Sequence, residues 1–300
     1  MHDDAIIIGG SYAGFSAAIQ LARARRTVCV IDAGQPRNRF AAESHGFFGQ
    51  DGARPEAMIA QARAQLQAYP TVTMSDGEVV CAWQTAPGRF AVELASGEKL
   101  TASRMVLAHG VEDQLPDIPG IAERWGASVL HCPYCHGFEV GGSQLGVLNT
   151  IPASMHQALL IPDWGPTTFF LNGIDELDAE TRDQLVRRQV RVEPAPVVEL
   201  VGDAPDLTGI RLADGRIIPI DALFIAPRTR LSPLAAQLGC EFDESPFGLV
   251  IRTDAMKATT VPGVFAAGDA ALAMNATIAS ASGVMAGAAL HRSLIFGLTA

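Results

Sequence analysis

The chain has 300 residues, 48% of them apolar, which is enough for two domains with a large buried core. Its 22 basic and 32 acidic side chains give a net charge of -10, which repels phosphate backbones and anionic lipids, so we expect no nucleic-acid or membrane partner. The first residues, MHDDAIIIGG, do not form an export signal, and no apolar run reaches membrane-spanning length, so we predict a globular cytoplasmic protein.

The N-terminal segment has the pattern of a βαβ unit with a tight first turn. An apolar run at 5–8 meets a glycine-rich turn at 9–14, a helix pattern continues to about Arg25, and a second apolar run at 28–31 ends at Asp32. The turn and the helix N-terminus suit a pyrophosphate, and the acid suits a ribose hydroxyl. We therefore predict a dinucleotide site, with a helix-capping glycine turn in another α/β protein as the alternative.

The next elements are less distinct. Residues 37–52 have no clear period and are predicted to form a functional loop, and a helix follows with Pro55 in its first turn. Strand-like runs come next near residues 78–83, 89–94 and 105–108, and the last ends in Ala108-His109-Gly110. Two prolines, Pro116 and Pro119, then indicate a linker.

The segment HCPYCHG at 131–137 carries the most reactive side chains of the chain. Locally it fits a redox dithiol, a zinc half-site, a haem attachment or a glutaredoxin-like motif. No second Cys/His pair has zinc spacing, no export signal supports haem attachment, and a glutaredoxin motif belongs near the start of a smaller domain. We favour the redox dithiol, and expect the other cysteines to be inert thiols; these are Cys29, Cys81 and Cys240.

A second strand-turn-helix-strand pattern begins at about residue 145. Its turn, residues 149–154, contains no glycine, and no arginine follows its second strand to neutralise a 2′-phosphate. A phosphate cannot easily approach such a backbone. A helix near 178–188 and strand-like runs then complete the middle region; the runs lie at 197–201, 209–212 and 222–226.

The last segment contains an apolar strand at 264–267 that leads to Gly268 and Asp269, followed by a helix rich in small residues. A carboxylate at a strand end beside a helix N-terminus suits a polyol hydroxyl of a bound cofactor. Small side chains allow this helix to pack closely against another element.

The ordered motifs together resemble the low-molecular-weight thioredoxin reductases and their flavin-dependent relatives, over essentially the whole chain. These motifs are the turn 9–14 with Asp32, the CPYCHG segment, and PGVFAAGD at 262–269. The resemblance implies an α/β fold of two nested Rossmann-like, three-layer nucleotide-binding domains in a homodimer. It implies an FAD-binding domain at 1–112 and 228–300, and a central NAD(P)-binding-like domain at 113–227 that carries the dithiol.

The resemblance also assigns site residues. Cys135 corresponds to the flavin-proximal cysteine, Cys132 to the outer cysteine, and His136 stands where most of these reductases carry an acid. The residues implied to bind FAD are Gly9, Gly10, Ser11, Gly14, Asp32, Gly110, Gly268, Asp269, Asn275, Ala276 and Thr277. No metal is implied.

Several departures from the reductase pattern make the chain similar to the flavin-dependent oxidases that close disulfides in small metabolites such as holomycin and gliotoxin. The departures are His136, the glycine-free turn at 149–154, and Ala108-His109-Gly110 in place of Ala-Thr-Gly. We expect a small-molecule dithiol or disulfide, or a thioredoxin-like protein, as substrate. The alternatives are an NAD(P)H-dependent disulfide reductase and a redox-sensing flavoprotein without turnover.

The expected mechanism begins with a substrate dithiol that attacks the Cys132–Cys135 disulfide, and ends with electrons passing through the flavin to oxygen. A thiol reacts as its thiolate, and His136, which titrates near neutrality, is placed to take the proton. The alternative for His136 is a packing and helix-capping role. His45 and His109 are either polar contacts on the flavin side or structural histidines.

Overall fold

A computed structural model describes residues 2–174 and 177–297. The ends of the predicted outer segments, residue 1 and residues 298–300, lie outside these ranges. The helices are α1 (Tyr12–Arg23), α2 (Pro55–Gln67), α3 (Pro133–His136), α4 (Ala153–Leu160), α5 (Ala179–Arg187), α6 (Leu234–Gln237) and α7 (Ala276–Phe296). Among the described residues, no helix has both the length and the apolar character needed to cross a membrane.

The strands follow in chain order. They are β1 (His2–Ile8), β2 (Val28–Asp32), β3 (Val72–Asp76), β4 (Val79–Ala86), β5 (Arg89–Leu94), β6 (Lys99–Leu107), β7 (Glu112–Gln114), β8 (Val129–Leu130), β9 (Leu145–Leu148), β10 (Thr167–Phe170), β11 (Arg191–Glu193), β12 (Val197–Val201), β13 (Gly209–Leu212), β14 (Ile217–Ile218), β15 (Ala222–Ile225), β16 (Arg228–Arg230), β17 (Phe242–Ser245), β18 (Gly248–Ile251) and β19 (Val264–Ala266). The predicted α/β fold class is confirmed.

The first sheet unites the two ends of the chain. Its strand order is β3-β2-β1-β6-β5-β4, and β19 pairs with the second half of β6. The strands β1, β2, β3, β6 and β19 are parallel, and their ends are in register, because Ile8 pairs with both Ile31 and Leu107 and Leu107 pairs with Ala266. The residues that follow these strands therefore meet at one edge of the sheet, where ligands of open α/β sheets bind.

The second sheet holds the middle of the chain. Its order is β11-β10-β9-β15-β8, with all neighbours parallel. Leu148 at the end of β9 pairs with Phe170 and Ile225, and Leu130 at the end of β8 pairs with Phe224. His131 and the dithiol therefore emerge at the carboxyl edge of this sheet.

Two short antiparallel strands connect the sheets. In this pair Glu112 of β7 lies opposite Arg230 of β16, and Asp113 lies opposite Thr229. The predicted domain bounds, 112/113 and 227/228, fall at these two strands. We keep 1–112 with 228–300 and 113–227 as the proposed domains.

The helices α1 and α7 touch through their backbones, and this contact joins the two chain ends. A side chain at Gly283 would meet the carbonyl oxygen of Ala13 at 2.1 Å, and one at Gly287 would meet that of Ala17 at 2.6 Å. Small residues therefore allow the helices to approach. The apolar core on this side of the sheet includes Ile7, Phe15, Leu21, Val30, Val106 and Leu290.

Some elements differ from the sequence prediction. Strand β3 was not predicted, because its side chains are half-buried or exposed and it lacks an apolar run. Strand β6 begins at Lys99, six residues before the predicted run at 105–108, since its first half forms an antiparallel pair with β5 and alternates in polarity. Helix α1 ends at Arg23, before the predicted Arg25, which takes a left-handed conformation with φ of 62°.

The contact between α1 and α7 leads to a stability prediction. Helix propensity alone favours Gly283→Leu by roughly 0.8 kcal/mol, but the new side chain has no room against Ala13. We expect the substitution to lower the free energy of unfolding by at least about 2 kcal/mol in urea titrations. The control is Ala60→Leu at an exposed position on α2, which should change it by less than about 0.5 kcal/mol. Equal effects of the two substitutions would contradict the packing argument.

Candidate active site

The edges of the two sheets enclose one large cavity of about 1070 Å³. Among the residues that line it are Gly9, Gly10, Ser11, Asp32, Gly110, Cys132, Cys135, His136, Gly268, Asp269, Asn275, Ala276 and Thr277. Every predicted site residue except Gly14 therefore faces the same space. A cavity of this size can hold an extended dinucleotide.

The first glycine turn is shaped by close backbone contacts. Gly9 has φ of 115°, and a side chain there would meet the carbonyl oxygen of Ala108 at 2.2 Å. A side chain at Gly10 would collide with Asp32. Gly14 lies within α1, where a side chain would meet the Gly9 carbonyl oxygen at 1.8 Å, so it seats the helix against the turn instead of lining the cavity.

The N-terminus of α1 points its unpaired N–H groups toward this turn. Ser11 is the N-cap residue, and its side chain makes no capping hydrogen bond. The first N–H groups of a helix carry a partial positive charge that attracts anions. The turn therefore combines close access with donors for a pyrophosphate.

Asp32 and Asp269 are two acidic residues that line the cavity. One carboxylate oxygen of Asp32 accepts from the Gly34 amide at 3.0 Å, and the other lies 3.7 Å from the guanidinium of Arg63. Asp269 follows Gly268, whose φ of 76° turns the chain and whose amide donates to the Ser282 hydroxyl at 2.9 Å. Both carboxylates line the cavity, where they can accept from ligand hydroxyls.

Arg37, which sequence reasoning missed, holds three distant segments together. It donates to both carboxylate oxygens of Asp113, at 2.9 and 2.6 Å, and to one oxygen of Asp269 at 2.8 Å. Burial lowers the pKa of Arg37, but the contacts with the two carboxylates outweigh burial, and the pKa is raised above its usual value. The only sequence signal was the position of Arg37 in an aperiodic loop, since its partners are 76 and 232 residues away.

The start of α7 borders the cavity with the three predicted residues Asn275, Ala276 and Thr277. Asn275 is the N-cap, and its side-chain oxygen accepts from the amides of Thr277 at 2.8 Å and Ile278 at 3.3 Å. Because these hydrogen bonds use only the side-chain oxygen of Asn275, its side-chain NH2 group can donate to other partners. Asn275 thus fixes the helix start at the cavity wall.

The dithiol also lines the cavity. Cys132 and Cys135 form a disulfide with their Cα atoms 5.3 Å apart, and both residues are half-buried. Cys132 is the N-cap of α3, and Gly137 closes this helix where a side chain would meet the Trp164 ring at 2.7 Å. By contrast, burial raises the pKa of the free thiols of Cys29 and Cys240, which keeps them protonated.

Burial lowers the pKa of three histidines that line the cavity, which favours their neutral form. Burial lowers the pKa of His136, which follows Cys135 directly. Burial, with the nearby Arg37 cation, also lowers the pKa of His131, whose ring nitrogen donates to the Ile225 carbonyl at 3.3 Å. A neutral imidazole can accept a proton, so His136 is suited to act as a base.

His109, two residues after the end of β6, lines the same cavity. Its Nδ1–H donates to the Gly110 carbonyl oxygen at 3.0 Å, while its Nε2 is buried without a hydrogen-bond partner among the described residues. Burial lowers the pKa of His109 to about 4. Proton uptake by this ring therefore costs the folded state free energy in mild acid.

The turn of the second βαβ unit, residues 149–154, is closed by its own side chains. The Ser154 hydroxyl accepts from the amides of Thr150 at 3.0 Å and Ile151 at 3.3 Å, and the Thr150 hydroxyl donates to the Ala226 carbonyl at 2.7 Å. Ser154 is fully buried. These amides, which bind phosphate in an open turn, already have partners here.

Comparison with known proteins agrees with this geometry. The model of the pyridine nucleotide-disulphide oxidoreductase family matches residues 3–148 and 168–283. Thioredoxin reductase tcpT of Claviceps purpurea is 34% identical over 98% of this chain and 95% of its own length.

Two solved structures have nearly the same fold. An oxidoreductase from Agrobacterium tumefaciens is 49% identical and superimposes with a TM-score of 0.94 over 99% of each chain. The crystal structure of HlmI is 38% identical, with a TM-score of 0.91 over 98% of this chain and 93% of its own. The predicted resemblance to thioredoxin reductases and the predicted fold are confirmed.

The neutral His109 ring predicts how stability depends on pH. The unfolded chain takes up a proton at His109 near pH 6.5, whereas the folded chain does so only at about pH 4. Acid therefore favours the unfolded chain between these two pH values. The free energy of unfolding that is lost because of His109 alone is at most about 3 kcal/mol. We expect urea titrations at pH 7, 6 and 5 to show a smaller loss of stability for His109→Gln than for the wild type.

The control for this experiment is His156→Gln, at an exposed position on α4. It should lose stability in acid as steeply as the wild type does. The explanation is wrong if His109→Gln follows that same slope.

Proposed function

The chain belongs to the pyridine nucleotide-disulphide oxidoreductase family and is an oxidoreductase, and from this premise we propose that it oxidises a dithiol to a disulfide through Cys132 and Cys135. The proposed cofactor is FAD, and the proposed electron acceptor is oxygen. One observation carries the proposal: the dithiol shares a cavity with an open glycine turn, whereas the turn at 149–154 is closed by Ser154.

The residues that line the cavity fit FAD. Gly9 and Gly10 line the cavity and carry no side chains, so a pyrophosphate can lie against the backbone beside the N-terminus of α1. Asp32 suits the adenosine ribose, and Asp269 suits the ribityl and pyrophosphate region. Gly110 and residues 275–277 would border the isoalloxazine end. When bound, FAD supplies a two-electron carrier that accepts electrons from a dithiol and can pass them to oxygen.

The protein side of the reaction starts with a substrate thiol near Cys132. His136 takes the thiol proton, because its imidazole is neutral in the folded protein. The substrate thiolate attacks the Cys132 sulfur, the Cys132–Cys135 bond breaks, and Cys135 leaves as a thiolate. The second substrate thiol then attacks the substrate sulfur that is bound to Cys132, and its proton passes to the Cys132 sulfur as that sulfur leaves. This releases the substrate disulfide and leaves the enzyme with a reduced pair.

The surface next to the dithiol supports an apolar substrate. The side chain of Tyr134, between the two cysteines, is 72% exposed, and that of Phe138 is 89% exposed. The Tyr134 ring packs edge-on against Trp164 at 5.6 Å between centroids. Exposed aromatic rings beside a reactive group are typical of binding sites, so we favour a small apolar dithiol over a thioredoxin-like protein.

The second candidate function is an NAD(P)H-dependent disulfide reductase, which the name of the Claviceps relative favours. It requires nucleotide binding at the turn 149–154. The internal hydrogen bonds of Ser154 and the absence of glycine there argue against it.

The two candidates predict opposite responses of the flavin. In an anaerobic titration of the purified holoenzyme, we expect dithiothreitol to bleach the flavin absorbance and air to restore it, while NADPH leaves it unchanged. Rapid bleaching by NADPH would establish the reductase instead. Failure of both reagents, with partner binding that changes with cysteine oxidation, would favour a redox sensor.

The cysteine pair gives a further prediction. We expect Cys135→Ser to reduce dithiol-dependent oxygen consumption by at least about 10³-fold, because the leaving thiolate is lost. The matched control is Cys81→Ser, which removes a free thiol on β4 and should leave the rate within about twofold. Retained activity of Cys135→Ser would overturn the proposed route.

We also propose that two copies pair through the outer face of α7. Apolar side chains at Ile278, Met285 and Ile295 are exposed on this helix, with 55%, 38% and 52% of their surface accessible. We expect a solution mass of twice 31.6 kDa, and Met285→Glu should shift it toward 31.6 kDa. The control is Ile217→Glu on β14, which should leave the mass unchanged. A monomeric wild type would contradict the pairing.

A further inference from the structure

A group of acidic side chains surrounds His45, which lines the cavity. Its Nε2 lies 3.6 Å from a carboxylate oxygen of Glu43 and 3.4 Å from one of Glu139, and its Nδ1 lies 3.6 Å from Asp51. The His45 side chain is 21% exposed, and the carboxylates are more exposed. Among the described residues, no group of His, Cys, Asp or Glu side chains is arranged to hold a metal ion.

The contact between His45 and Glu139 joins two different parts of the molecule. His45 belongs to the loop at 41–54, which follows the turn that carries Arg37, whereas Glu139 lies three residues after His136. Both His45 and His136 line the cavity. The contact therefore joins the loop to the segment that follows the dithiol helix α3. It also places the His45 imidazole close enough to act electrostatically on His136.

Burial is the main cause that lowers the pKa of His136, and its two charged neighbours act in opposite directions. Glu139 raises the pKa of His136, and His45 lowers it. From the loop at 41–54, Glu43 and Asp51 also lie within 3.6 Å of the His45 ring.

We propose that His45 and Glu139 are positioning residues that act on His136 through their electrostatic effect on its ring. Their opposing effects keep this ring able to take a proton from the substrate thiol, and to release it again, during the dithiol reaction. This rests on the function proposed above, in which His136 is the base. In the step, the S–H bond breaks, the proton moves to the His136 ring, and the electron pair stays on sulfur to attack Cys132. His45 and Glu139 change no bond, and they act only through the ring that holds the proton.

The test is the pH dependence of dithiol attack in the holoenzyme. We would measure the anaerobic rate of flavin reduction by dithiothreitol between pH 5 and 9 in the wild type and in four variants: His45→Gln, Glu139→Gln, His136→Gln and the control His156→Gln. The rate should fall in acid as His136 becomes protonated. Because His45 lowers the pKa of His136, the acid limb of His45→Gln should move up by roughly 0.3–1 pH unit; because Glu139 raises that pKa, the limb of Glu139→Gln should move down by a similar amount.

Opposite shifts separate this role from a structural one. A loosened loop would lower the rate in both variants without moving their limbs apart. The control, His156→Gln on α4, should keep the wild-type limb. The thermal unfolding midpoint and the flavin content of each variant report whether it is folded and loaded.

The outcomes distinguish this inference from the proposed function. If dithiothreitol reduces the wild-type flavin but the two limbs shift in the same direction or not at all, the positioning role is wrong and the dithiol oxidase proposal stands. If His136→Gln keeps the wild-type acid limb, His136 is not the base, and the positioning role falls with it. If dithiothreitol does not reduce the wild-type flavin, the proposed function itself is wrong.

Discussion

The close contact between α1 and α7 is the constraint on which the site depends. Gly283 and Gly287 allow α7 to lie against the backbone of α1, which begins directly after the first glycine turn. The same contact places Ser282 where it accepts from the Gly268 amide. The two ends of the chain thereby line one cavity together, and larger residues on α7 would separate them.

Electrostatic contacts then tie this cavity to the region that carries the dithiol. Arg37 lies between Asp113 on the connecting strand β7 and Asp269 at the cavity wall. One cation that is shared by two carboxylates from distant segments resists separation of any of them, because separation leaves a half-buried charge without a partner. His45 and Glu139 make a second, more exposed link on the dithiol side.

The two βαβ units show that one topology can carry different chemistry. In the first, Gly9 and Gly10 open the turn, and the N-cap Ser11 leaves the helix amides free of its side chain. In the second, the buried Ser154 hydroxyl takes the amides of the turn. An anion can therefore approach the free donors of the first turn, whereas at the second turn it meets donors that already have partners.

The sequence by itself determined the fold family, the glycine-rich turn at 9–14 and the Cys132–Cys135 pair, because these depend on short segments whose residue types and spacing restrict the local backbone. Only the tertiary structure decided that Gly14 seats a helix, that Arg37 joins Asp113 and Asp269, and that His45 meets Glu139. The two partners of Arg37 lie 76 and 232 positions away from it along the chain, so no local sequence pattern indicates these contacts. The depressed pKa of His109 likewise follows from burial, which is a property of the folded chain and not of its residue type.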